Sequence, residues 1–81
     1  MTFIMVVTLK LFADLRKYLP NRGEPLEVEV AQGVVVADLL DRYHVSREHR
    51  LICFVNGRHA GTDQRLRDGD VLSVFPPVAG G

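Results

Sequence analysis

Three features of this 81-residue sequence predict an α+β roll, a mixed sheet of about four to five strands with one main helix across one face. Apolar and polar residues alternate over 6–11 and 25–30, the period of two that marks half-buried strands. After Gly33 the period lengthens, and Val36, Leu39, Leu40 and Tyr43 fall at i, i+3, i+4 and i+7, the stripe of an amphipathic helix. Two further apolar runs, 51–55 and 71–75, have the length and composition of strands. A single helical stripe among these strand signals covers one face of one sheet.

Length and composition bound the reading. At 81 residues the chain is one small domain, and it buries only about 60 to 65% of its unfolded surface. With 47% hydrophobic residues it is too apolar for disorder. Ten Lys+Arg against ten Asp+Glu leave no net charge, which argues against a broad nucleic-acid or anionic-membrane surface and leaves room only for a local basic patch. The lone cysteine excludes an intramolecular disulfide framework and a Cys-rich zinc site, and fits a reducing, cytoplasmic setting. No apolar run has the length of a bilayer span. The segment from Met1 to Val7 lacks the basic start and small-residue cleavage site of a signal peptide and is expected as a strand; both Met1 and Met5 qualify as the biological start.

The elements follow in order. Val7, Leu9 and Leu11 share one face of the first strand, opposite Thr8 and Lys10. Phe12, Leu15 and Leu19 then have the i, i+3, i+7 spacing of a short amphipathic helix, ended by Pro20 to Gly23. In the second strand Leu26, Val28 and Val30 alternate with Glu27 and Glu29, and Pro25 with the charges predicts a sheet edge. The main helix is expected from Val35 or Val36 to about His44. It starts weakly, because a valine stands where a Ser or Thr cap is favoured, a deficit of about 1 kcal/mol. The unbroken run 51–55 predicts a strand covered on both faces. Asn56-Gly57 predicts a tight turn, leaving through Arg58 to Gly61. Leu66 is expected to plug the core within an otherwise polar stretch, and Asp68-Gly69-Asp70 to turn the chain into the last strand.

The body carries no arrangement of residues suited to catalysis. Cys53 lies in the most hydrophobic run, where a thiol behaves as a small buried hydrophobe. His44, His49 and His59 share no helical face and have no cysteine pair beside them, so surface or capping roles are expected and no metal site. Asp68 and Asp70 fall short of a calcium loop, and their expected role is turn chemistry.

The last residues have a different character. Pro76 and Pro77 end strand pairing and favour an extended exit, which separates a body, 1–75, from a tail, 76–81. At roughly 3.3 to 3.6 Å per residue the tail reaches about 20 Å, enough to enter a cleft in another protein. Gly80 and Gly81 lack a Cβ and leave the terminal carboxylate unhindered, suited to activation by a separate enzyme. Two readings stand at this point: a chemical handle, or an ordinary frayed end.

Several segments resemble the MoaD/ThiS family of ubiquitin-like sulfur carriers, most closely its molybdopterin synthase small-subunit branch. They are Leu11-Phe12-Ala13-Asp14-Leu15-Arg16, the stretch from Gly33 to Leu40, Val55-Asn56-Gly57, Leu66 to Asp70, and Phe75-Pro76-Pro77-Val78-Ala79-Gly80-Gly81. The resemblance runs nearly end to end and implies a β-grasp fold. It also implies that an E1-like adenylating enzyme uses ATP to activate Gly81, that a sulfur donor converts the adenylate to a thiocarboxylate, and that the tail, Pro76 to Gly80, then inserts into the synthase large subunit. There the sulfur builds the dithiolene of molybdopterin. The chain itself binds no cofactor and supplies no catalytic side chain. Phe75, Phe12 and Arg16 match positions of the partner-facing surface, although core packing also accounts for the two phenylalanines and a solvated helix face for Arg16. Val35 replaces a frequent helix-capping Thr, and His59 stands where an apolar contact residue is common. The short chain with this ending also resembles archaeal-type relatives associated with tungsten cofactors or protein modification, whereas Phe75-Pro76-Pro77 before Val78-Ala79-Gly80-Gly81 argues against the alternative of a carrier for thiazole synthesis.

Overall fold

The computed structural model describes residues 4–20, 25–45 and 50–77. Five strands, β1 (Ile4–Leu11), β2 (Leu26–Ala31), β3 (Ile52–Val55), β4 (Arg58–Ala60) and β5 (Val71–Phe75), form one sheet in the order β2-β1-β5-β3-β4. β1 and β5 are parallel at its centre, with Leu9 opposite Leu72 and Leu11 opposite Val74, and the other pairings are antiparallel. β2 is an edge strand, as its proline and glutamates predict.

The alternation in sequence becomes a two-faced sheet. Met5, Val7, Leu9 and Leu11 of β1, Val28 and Val30 of β2, Cys53 of β3, and Leu72 and Val74 of β5 are buried on one side. The helix α1 (Val36–Arg42) contributes Val36, Leu39 and Leu40 to the same core, and Leu66 fills it from the irregular segment as expected. This mixed sheet with one helix across one face is the β-grasp arrangement.

The helix starts on half of a reciprocal cap. Val35 has no side-chain acceptor, so the Asp38 amide donates to the Val35 carbonyl at 3.0 Å, while the Asp38 carboxylate accepts from the Val35 amide at 2.9 Å. The helix ends two residues before the expected His44. His44 takes a left-handed φ of 59° and donates to the Asp41 carbonyl, and Val45 donates to Leu40 at 2.8 Å and buries its side chain. This is a Schellman ending, with a histidine where glycine is usual. It gives His44 a capping role.

Two expectations need correction. The segment after β1 is a 3₁₀ helix, Ala13–Tyr18, and Phe12 precedes it with extended backbone. Leu15 and Leu19 are buried, but Phe12 is 36% exposed and does not share their face. Ala13 has a φ of 55°, and that left-handed turn breaks the helical phase that the i, i+3, i+7 spacing assumes. The run 51–55 is also covered on one face only. Cys53 points into the core, whereas Ile52 and Phe54 lie on the opposite, half-buried face. No described helix lies on that outer face; neighbouring side chains give its partial cover.

Candidate functional site

On the outer face, strand register sets Lys10 of β1, Ser73 of β5, Phe54 of β3 and His59 of β4 in one row. Ile52 is opposite Phe75 in the next. The aromatic rings join these rows. Phe12 stacks on Phe75 with centroids 4.3 Å apart and planes 9° apart, Phe75 meets Phe54 edge-on at 5.8 Å, and Phe54 meets His59 edge-on at 5.7 Å. Offset-stacked and edge-on pairs each add about 0.5–1.5 kcal/mol beyond area burial. The rings therefore hold one another in place while remaining reachable. Ile4 and Val6, 58% and 37% exposed, lie on the same outer face of β1 and are separated from the rings by Thr8 and Lys10.

Phe75 is the last residue of β5, and the chain passes directly into Pro76 and Pro77. These prolines border a cleft of about 270 Å³ lined also by Asp14, Leu15, Lys17, Tyr18 and Leu51. Tyr18 and Leu51 are half-buried against the core, so the start of the tail adjoins a firm apolar rim. The chain thus leaves β5 from within the aromatic row, at Phe75 between Phe12 and Phe54. Arg16 is exposed on the 3₁₀ helix and lines a shallow groove with Lys10, Phe12 and Pro25. Phe75, Phe12 and Arg16 accordingly occupy one end of the molecule. Val78, Ala79, Gly80, Gly81, His49 and Met1 lie outside the described residues.

Asp70 acts as the turn reading expects, whereas the Asp68 carboxylate ties its turn to β1. Asp68 accepts from the Val6 amide at 2.8 Å. Asp70 accepts from the Arg67 amide at 2.7 Å and the Asn56 side chain at 2.8 Å. Asn56 returns a bond from the Val71 amide at 2.9 Å, tying the β3–β4 turn to the start of β5. Positive φ values at Asn56 (52°) and Gly57 (82°) match the mirror-image turn that an Asn-Gly pair favours. Cys53 is buried, and desolvation pushes its thiol above the ordinary value of 9.0, so it stays protonated and unreactive at neutral pH. No group of three or more His, Cys, Asp and Glu suited to a metal ion occurs among the described residues.

Sequence reasoning did not find Phe54 in the aromatic row. A continuous apolar run does not say which of its alternate residues lacks a covering layer, and only the pairing with His59 and Ser73 places Phe54 outside.

The sequence model of the ThiS family matches residues 9–81. The chain belongs to this family of ubiquitin-like sulfur carriers. Its β-grasp body is similar to solved structures of three archaeal proteins. The HVO 2177 protein of Haloferax volcanii is 27% identical with a TM-score of 0.78, over 96% of this chain and 88% of that one. A protein described as molybdopterin converting factor subunit 1 from Pyrococcus furiosus is 30% identical with a TM-score of 0.72, over 91% and 99%. SAMP1 from Haloferax volcanii, a small archaeal modifier protein, is 29% identical with a TM-score of 0.73, over 94% and 99%. No match is found among curated proteins. In this ThiS-family chain no described helix is long and apolar enough to cross a membrane.

Proposed function

We propose that this protein carries sulfur as a thiocarboxylate on Gly81 and delivers it in molybdopterin-type cofactor synthesis as the small subunit of the synthase. The observation that carries this reading is the position of the tail: β5 runs from the aromatic face straight into Pro76-Pro77, so a partner seated on Phe12, Phe54 and Phe75 receives the tail at its own surface. The similarity to a molybdopterin converting factor subunit supports the pathway.

In this reading the chain contributes positioning and a carboxylate. An E1-like enzyme brings ATP, and a Gly81 carboxylate oxygen attacks its α-phosphorus, releasing pyrophosphate. Sulfide released by a donor then attacks the acyl carbon and displaces AMP, which leaves a thiocarboxylate. In the large subunit that sulfur passes to the pterin precursor, and water restores the carboxylate. Pro76 and Pro77 restrict the free tail and so lower the roughly 1–2 kcal/mol per residue that fixing a flexible backbone costs. The cytoplasm, with its ATP and reduced sulfur, is the proposed setting.

Intact-mass measurement of protein from its native host is expected to show an oxygen-to-sulfur increment confined to the C-terminal peptide, and its absence with the pathway active would refute the carrier reading. Deleting Gly81 is expected to abolish sulfur transfer with a nearly unchanged melting temperature. The similarity to SAMP1 favours a second reading, a protein modifier joined through Gly81 to lysines. Lysine adducts ending in Gly-Gly, without the sulfur increment, would select it.

A further inference from the structure

At the other end of the sheet the structure holds a groove of about 600 Å³, walled on one side by Arg58, His59 and Ala60 of β4 and on the other by Gln64, Arg65 and Arg67. Its three arginines are exposed, and none is engaged by an acidic side chain among the described residues. Asp70, the carboxylate in the lining, is already committed, one oxygen to the Asn56 side chain and the other to the Arg67 amide. The wall opposite β4 is held firmly. Leu66 is buried between Arg65 and Arg67, its amide donates to the Val34 carbonyl at 2.9 Å, and Gln64 accepts from the Val36 amide at 3.0 Å. The three cations therefore project from fixed backbone on a chain of zero net charge, whose other residues carry the balancing negative charge.

We propose that this groove is a docking site for an extended acidic segment of a partner protein. Charge complementarity sets the sign of the ligand, since guanidinium groups pair with carboxylates in a planar, two-bond geometry. Two features favour a protein segment over a nucleic acid. The chain has no net positive charge with which to hold a polyphosphate backbone. In addition, the groove runs beside β4, the terminal strand of the sheet, where an extended peptide adds by backbone pairing. A small anion is disfavoured because all three guanidinium groups are exposed and not gathered in a buried cradle. His59 lines the groove and also meets Phe54 edge-on, so the cationic surface is continuous with the aromatic face. An acidic segment here extends a contact made on that face and steers its approach.

The test is an NMR titration of the full isotope-labelled chain with an amidated peptide of alternating glutamate and valine. Amide shifts are expected at 58–60 and 64–67, and the triple variant R58A/R65A/R67A is expected to bind about tenfold more weakly, as the loss of three exposed ion pairs implies. R50A, an exposed arginine outside the groove, is expected to leave affinity unchanged. Equal binding by the triple variant, tighter binding of a single-stranded oligonucleotide of matched charge, or no shifts at millimolar peptide would each overturn the proposal. Sulfur and the tail take no part in this measurement, so its outcome is separate from that of the carrier reading.

Discussion

Ala13 holds a φ of 55°, a left-handed value that costs a residue with a Cβ about 1–2 kcal/mol, and it lies between the exposed Phe12 and the buried Leu15. Ala13→Gly is therefore expected to stabilise the protein by up to about 1 kcal/mol in urea denaturation, since glycine takes this angle without the steric penalty. Cys53 carries a different consequence. Burial raises its thiol above the ordinary 9.0, so the folded state keeps its proton to higher pH than the unfolded state does. The stability this contributes is complete below the unfolded value and is lost as pH rises from there through the folded value. Chemical denaturation from pH 7 to 11 is expected to show a steeper alkaline decline for wild type than for Cys53→Ala, which lacks this titration while losing about 1–2 kcal/mol of packing at neutral pH.

Among the elements, the two ends of α1 were legible to different degrees. The weak start could be read from Val35, because the absence of an oxygen at a cap position is a property of the residue itself. The structure adds that Asp38 supplies the return half of the cap. Val35→Thr is expected to complete it and stabilise by about 0.5–1 kcal/mol, a rise of several degrees in a thermal melt. At the other end, apolar spacing ran through Tyr43 and gave no sign that His44 would turn left-handed. The 3₁₀ segment was hidden for a related reason: over six residues a spacing of three fits both helix types, and the phase break sits at an alanine that carries no turn signal. β4 has three residues, too few for alternation to show. Asn56-Gly57, by contrast, was plain in the sequence, because its chemistry is local. The bonds from Asn56 to Asp70 and Val71 were not, since their partners stand fourteen and fifteen residues on.

For the whole molecule, core and surface separate by side-chain parity along the strands. Leu72→Ala, at a fully buried site in β5, is expected to cost about 2–5 kcal/mol in denaturant titration. The face opposite the core was the hardest feature to foresee, because an apolar run has the same composition whether another layer of the same chain covers it or a second protein does. The central place of β5 has one more consequence, which concerns time. The last described strand to be synthesised stands between β1 and β3, and without it the sheet falls into two separate pairs, β2 with β1 and β3 with β4. Isolated strand pairs are marginal in water. A nascent or truncated chain lacking 71–75 therefore has no finished core and remains open to proteases.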